Sequence, residues 1–410
     1  MQLLDKMLRP LLKRGELTII APDGSVHRYG APDAELRPVT VRIRDNRAAL
    51  QIVRDPALGT VETWMDDRLV LEQGEIIDLV LLIRRNSRWE ERSGRSKFKK
   101  YTGRLKHLIN TYNRKADSRK NVAHHYDIGN AIYRTFLDPD MQYSCGYFTD
   151  PANSIEQAQL DKKAHIAAKL HLSPGQKVVD IGCGWGGLAL YLNRVADVDV
   201  LGVTLSTEQL AVARERAQKA GVADRVRFEL MDYRDLEGPF DRVVSIGMFE
   251  HLGTAFFQTF FHKVREILAP DGVALVHTMG RMGKPGTTDA FMQKYIFPGG
   301  YLPALSEMVA ASERERLVMA DCEMLRLHYV YTLRAWYERF KANHDEVVRL
   351  TDERFYRLYA FYLAASMTMF TDGAMCVYQL QYLRSRYAAP MTRNYMFEAE
   401  QRYGELPEAP

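Results

Sequence analysis

A chain of 410 residues, 46% apolar with a formal net charge of +4, has room for about two or three buried cores and the composition of an ordinary globular protein. Its longest apolar runs, Ile76–Ile83 and Tyr359–Phe370, fall short of the roughly 20 residues that cross a bilayer. The N-terminus lacks the apolar core and cleavage site of a secretory signal, and Cys145, Cys183, Cys322 and Cys376 form neither a disulfide framework nor a metal-ligand pattern, which suits a reduced cytoplasm and predicts no metal.

Residues 1–83 predict a small α/β unit. Val39–Arg44 alternates as a half-buried strand does, and Ala48–Val53 reads as a second strand. Asp55–Gly59 reads as a turn, and two amphipathic segments follow to residue 83. No polar cluster here suggests catalysis; the stretch Asp55–Leu69 resembles the lipid-carrier type of small domain. Residues 84–120 then gather fourteen Lys or Arg against Glu90, Glu91 and Asp117, a net +11, while the rest of the chain sums to −7. Such a block predicts an interdomain linker that meets an anionic surface, either nucleic acid or acidic lipid headgroups, or that is merely solvated.

A helical cap is expected over residues 121–171. Beyond it, strands are predicted at 177–181, 200–205, 226–230, 241–246 and 273–279, with helical periodicity over Thr207–Ala220 and Phe256–Leu268. That alternation is the βαβ rhythm of a mostly parallel sheet. Past Pro285 the chain reads as helical through Tyr382, and no internal repeat is found.

The stretch Val178–Gly187 sends an apolar strand into Asp180 and then into glycines at 182, 184, 186 and 187. Glycine there lets a ligand approach the backbone and permits positive φ. A dinucleotide site usually carries an acid at the end of the second strand. Here Val200–Ser206 ends without one and offers Thr204, Ser206 and, one turn on, Gln209. Without a phosphate-cradling turn, the pattern points to S-adenosylmethionine, although similar glycine turns also occur in unrelated α/β proteins.

Further signatures join this loop: His124–Asn130, Asp138–Phe148, Gly202–Gln209, Asp241–His251, Val276–Gly280, Lys294–Gly300 and Thr332–Phe340. Together they closely resemble the cyclopropane fatty acid synthases and the related mycolic acid cyclopropane synthases, over residues 120–385. The resemblance implies a Rossmann-like class I methyltransferase domain over 121–390, with an acyl-chain pocket, a helical cap and a tail at 391–410. It implies methyl transfer from S-adenosylmethionine to the cis double bond of an acyl chain in a membrane phospholipid. Loss of a proton from the new methyl then closes the ring. It also implies a bound bicarbonate as base, caged by Cys145, Glu250, His277, Tyr329 and the backbone of Met279. Cofactor contacts follow at Tyr143, Ser144, Asp180, Gly182, Gly184 and Gly186, and at Thr204, Gln209, Asp232 and Tyr233. The transient cation asks for an aromatic, water-excluding wall, for which Tyr143, Tyr147, Phe148, Phe249, Tyr295 and Phe297 are candidates. The partners implied are an unsaturated phospholipid and an anionic membrane surface, with no nucleic acid. The location is cytoplasmic, peripheral at the inner membrane surface, and a homodimer is compatible with it.

Each residue also has a plainer reading. Cys145 alone would be a buried thiol, Glu250-His251 a helix-start pair, and His277 a satisfied core histidine. Tyr331 rivals Tyr329 by a two-residue slip, Ser366 stands where family members often carry Cys, and Met279 replaces a β-branched residue. A bicarbonate needs donors, which His and Tyr supply, and a carboxylate to accept from its own hydroxyl. The competing functions are a methyl-branched or methylene product on the same fold, and a non-catalytic lipid- or nucleic-acid-binding module.

Overall fold

The computed structural model describes residues 1–91 and 129–405, which pack as two units. The basic residues from 92 to 120, most of the His124–Asn130 motif and the last five residues lie outside the described residues. One unit takes 1–91, 289–298 and 333–374; the other takes 129–288, 299–332 and 375–405.

The first unit holds a four-stranded sheet in the order β2-β1-β3-β4, formed by β1 (Gly15–Ile20), β2 (Val26–Ala31), β3 (Val39–Ile43) and β4 (Leu69–Gln73). Only β3 was expected. Ala48–Val53, expected as a strand, lies in the helix Asn46–Arg54, because the Asp45 carboxylate accepts from the backbone N–H of Ala48 at 2.9 Å and caps it. Ala48, Ala49 and Ile52 then share one buried face. Asp55–Gly59 is likewise no turn: Asp55 caps the helix Pro56–Met65, and Pro56 sits in its first turn, where a missing N–H costs nothing. Gly59 lets the two helices touch, since a Cβ there would stand 2.4 Å from the carbonyl oxygen of Gln51.

The expected boundary at residue 83 is displaced. The helix Ile76–Arg85 runs past it, and residues 333–374 complete the unit. Trp64 Nε1 donates to the carbonyl of Arg357 at 3.2 Å, Lys341 pairs with Glu75 at 2.7 Å, and Arg85 and Arg88 reach the buried Asp372 at 3.1 and 3.2 Å. Two cations of the supposed linker are therefore structural.

The second unit is built on a seven-stranded sheet, order β10-β11-β9-β8-β5-β6-β7. The expected strands appear as β5 (Lys177–Ile181), β6 (Asp199–Thr204), β7 (Val226–Leu230), β8 (Phe240–Ile246) and β9 (Leu268–Arg281), all parallel. The correction is at the other edge, where β10 (Val318–Met324) and β11 (Met375–Leu383) add antiparallel strands in a region expected to be helical. Eight of the nine residues of β11 are buried, so no alternation marks it in the sequence. Val179 and Ile181 face one core with the helix Phe257–Ile267, while Val178 faces the other with Gly187–Ala196. The expected cap contributes the helix Ile155–Lys169, and the C-terminal helix Asn394–Gly404 docks there through Glu400 and His165 at 2.9 Å.

Candidate active site

β5 delivers the glycine turn to the carboxyl edge of the sheet, where ligands of open α/β folds bind. Gly182, Gly184 and Gly186 have φ of +84°, +55° and +83°, all in the left-handed region. Their needs differ. A Cβ at Gly184 would meet nothing within 4 Å, whereas one at Gly186 would stand 2.6 Å from the Phe228 ring. Gly184 thus presents bare backbone, while Gly186 is required by packing. Burial pushes the Asp180 carboxyl up to about 7, opposed by the charge of Lys162. At the end of β6, the neighbouring strand, the Thr204 hydroxyl donates to Gln209 Oε1 at 3.1 Å, and Ser206 caps the helix Thr207–Lys219. Thr204, Ser206 and Gln209 thus place uncharged donors and acceptors at the carboxyl end of β6, next to β5. Asp232 is held by Arg234 at 2.7 and 2.8 Å. The Tyr233 ring is packed in the core, 5.5 Å from Phe260.

The second half of the site lies where β8 and β9 end. Glu250 follows β8; its Oε2 accepts from the Thr278 hydroxyl at 2.8 Å and its Oε1 from the Met279 N–H at 3.3 Å. Burial pushes this carboxyl up to about 7, against those two donors. The Met279 N–H is thereby engaged with Glu250, so only its carbonyl, 3.0 Å from Thr278 Oγ1, remains for the expected backbone role. His277 is buried, and burial together with the charges of Lys162 and Lys169 lowers it to about 3, so it is neutral near pH 7. Cys145 is buried as well; burial pushes its thiol up, so it is a thiol and no nucleophile.

The Cys145 loop is tied to the helix His328–Ala342 by two hydrogen bonds. The N–H of Gly146 donates to Thr332 Oγ1 at 3.0 Å and that of Phe148 to His328 Nδ1 at 2.9 Å. Tyr329 is buried in the same turn, while Tyr331 is half-buried with its ring 5.4 Å from Phe148.

Sequence reasoning missed Lys162. The residue is 1% exposed, and its ammonium donates to Gln142 Oε1 at 2.6 Å and Ser144 Oγ at 2.9 Å. Its charge acts on Asp180, Cys145 and His277, so it is the common neighbour of both halves. Burial lowers it to about 8. The available signal was spacing: Gln159, Lys162, Ile166 and Lys169 share one helical face and all four are buried.

Four of the expected wall residues are placed otherwise. Tyr147 is sandwiched between His165 (4.0 Å, 9°) and His328 (4.9 Å, 5°), so both ring faces are taken. Phe249 is fully buried among Phe257, Phe260 and Phe261 and serves the core. Tyr295 and Phe297 belong to the other unit, where Tyr295 donates to Glu62 at 2.9 Å and Phe297 lies 6.0 Å from Tyr362. Phe148 and Tyr143 stay with the second unit; the Tyr143 ring lies edge-on to Tyr133 at 5.0 Å.

The sheet order, the left-handed glycine turn after Asp180 and the acid-free end of β6 define a class I, S-adenosylmethionine-dependent methyltransferase. Residues 113–380 match the family model described as mycolic acid cyclopropane synthetase, and the chain belongs to that family. It is 44% identical over 260 residues to the cyclopropane-fatty-acyl-phospholipid synthase of Escherichia coli K12, covering 63% of this chain and 66% of the relative. A probable fatty acid methyltransferase of Pseudomonas putida is 40% identical over 288 residues, 67% of this chain and 73% of that one. Among solved structures, the cyclopropane synthase MmaA2 of Mycobacterium tuberculosis superposes with a TM-score of 0.62 at 32% identity, covering 65% of this chain and 98% of that one. No helix among the described residues is long and apolar enough to cross a membrane.

Proposed function

We propose that this chain transfers a methylene group from S-adenosylmethionine to the cis double bond of an unsaturated acyl chain in a membrane phospholipid, forming a cyclopropane. The observation that carries this is Glu250, a buried carboxyl poised near 7 and hydrogen-bonded to Thr278 and Met279 at the sheet's carboxyl edge, where the neutral, buried His277 immediately precedes them on β9. The reaction makes two carbon–carbon bonds to the transferred carbon, breaks its bond to sulfur and releases one proton. A base is therefore required, and neither the protonated Cys145 nor the strongly depressed His277 is a good one.

The donor set fits a bicarbonate, which when bound would supply that base. Tyr329 and His277 carry the donors, Cys145 provides a small buried lining, and Glu250 accepts from a hydroxyl when ionised. The cofactor would be held by the bare backbone at Gly184 and the turn at Gly182, by Asp180, Thr204 and Gln209, and by Tyr143 and Ser144, which Lys162 steadies. Asp232, held by Arg234, would be a further cofactor contact, whereas the buried Tyr233 contributes packing. Phe148 and Tyr143 remain as aromatic wall. The basic residues before 120 would bring the enzyme to an anionic leaflet, as a peripheral protein at the cytoplasmic face.

Activity on liposomes, with the product read by proton NMR through its upfield ring methylene, tests the reading. Bicarbonate depletion should slow the wild type and leave Glu250→Ala and His277→Ala, already slow, nearly insensitive. Full wild-type rate without bicarbonate would show a side chain to be the base. A methyl-branched or methylene product is the second reading, favoured by the name of the Pseudomonas relative, a fatty acid methyltransferase; the same spectrum separates the two.

A further inference from the structure

We infer that Gln379, itself pinned by Lys169, is a positioning residue that holds His277 in the tautomer protonated on Nε2. The inference rests on the cage reading for its consequence in catalysis, though not for its geometry.

The geometry is a chain of hydrogen bonds whose direction is forced at one end. Lys169 Nζ lies 2.8 Å from a side-chain atom of Gln379. An ammonium only donates, so that atom is the amide oxygen. The other terminus of the amide is then the NH2 group, and it lies 3.2 Å from His277 Nδ1. An amide NH2 only donates, so Nδ1 must accept. A neutral imidazole that accepts on Nδ1 carries its proton on Nε2. The orientation of Gln379 follows from the charge of Lys169 and not from how oxygen and nitrogen were placed.

Nothing on this path is loose. Gln379 is 0% and Lys169 3% exposed, so bulk water does not replace either partner. The antiparallel register of β9 and β11 sets Gln379 directly opposite His277. Lys169 is held in turn by a close ion pair with Glu323, which also meets His165 Nε2 at 2.7 Å; the other ring nitrogen of His165 meets Glu400 at 2.9 Å. The chain thus runs from His277 through the cap helix to the C-terminal helix. Because His277 stays neutral near pH 7, its tautomer decides what it offers an anion. Nε2–H would donate, whereas a bare Nε2 would present a lone pair and repel it.

Long-range proton–nitrogen NMR of the full-length enzyme, labelled on its histidine rings and assigned with His277→Asn, reads the tautomer directly. In the wild type near neutral pH, His277 Nδ1 should appear as the unprotonated, pyridine-type nitrogen. Gln379→Glu replaces the donor by an acceptor of the same shape, so Nδ1 should gain a proton. The kcat for ring formation should then fall on the order of 10²-fold with KM for S-adenosylmethionine unchanged. Lys169→Met should leave the amide free to turn and give a mixture of both tautomers. A protonated Nδ1 in the wild type overturns the inference without any variant and whatever the bicarbonate dependence. The expected tautomer in an enzyme indifferent to bicarbonate instead sinks the cage reading and leaves the tautomer assignment standing. A Gln379→Glu enzyme with Nδ1 protonated and undiminished kcat removes the positioning role.

Discussion

The hydroxyl of Thr278 donates to Glu250 Oε2 across 2.8 Å, with Thr278 0% and Glu250 4% exposed. The contact joins the end of β9 to the turn after β8 and sets two effects against each other on one carboxyl. Burial disfavours its charge, and the hydroxyl favours it. Burial wins, since the group rests near 7 and not at its ordinary 4.5.

Glu250→Gln should stabilise the protein at alkaline pH while abolishing ring formation. A carboxyl whose folded value lies above its unfolded one adds stability that is complete below about 4.5 and is lost as pH rises through about 7. The gap between those values corresponds to about 3 kcal/mol. Glutamine imitates the protonated form and cannot ionise. Denaturant midpoints should therefore favour the variant near about pH 8 and draw together near about pH 5. Equal differences at both would mean that Glu250 does not titrate in this range.

Thr278→Val removes the donor that restrains Glu250. The carboxyl should move further above 7, and the rising limb of the kcat profile should shift to higher pH by roughly one unit, the size of a lost hydrogen bond. An unmoved limb would show that Glu250 is not the group titrating there.

Gly184→Val and Gly186→Val should fail in different ways. At Gly184 the side chain enters open space at φ +55°, so the chain folds with about 1–2 kcal/mol of backbone strain but loses the cofactor. At Gly186 it meets Phe228, and the fold itself suffers. Calorimetric titration with S-adenosylmethionine beside thermal unfolding separates the two; unchanged affinity in a folded Gly184→Val enzyme removes that glycine from the binding face.

Activity on anionic vesicles should fall as salt rises, because each Lys or Arg near the leaflet contributes about 1 kcal/mol within a Debye length of about 8 Å. Replacing Arg95, Lys97, Lys99 and Lys100 with Gln should flatten that dependence. A quadruple variant that matches the wild type at every salt concentration would make this stretch a linker only.

Much of the second unit was legible in its sequence. Strands β5, β7, β8 and β9 announce themselves by apolar runs closed by glycine or an acid and β6 by its apolar run alone, and Asp180, Glu250 and His277 lie at or just beyond strand ends. What failed did so for physical reasons. Ala48–Val53 is too short for its period to separate helix from strand, and the decision rests on Asp45 outside it. β11 hides polar Gln379 and Gln381 inside a fully packed sheet, which no pattern of alternation betrays. Lys162 and Lys169 look like solvent-facing charges of a cap helix, and the partners that bury Lys169, Glu323 and Gln379, come from more than 150 residues away.

The first unit is written in three instalments along the chain, with a consequence for the order in which the protein is made. Arg85 and Arg88 emerge from the ribosome long before Asp372, and Trp64 long before the carbonyl of Arg357. At ordinary rates of translation that interval is on the order of tens of seconds. Throughout it the four-stranded sheet lacks the helix Glu353–Thr371 that completes its unit, while the methyltransferase strands β5 to β9 are made within that same interval. The nascent chain should therefore build its catalytic layer while its own beginning is still waiting for its end, and a fragment cut at residue 83 should be sticky and poorly folded, not a portable lipid-binding module.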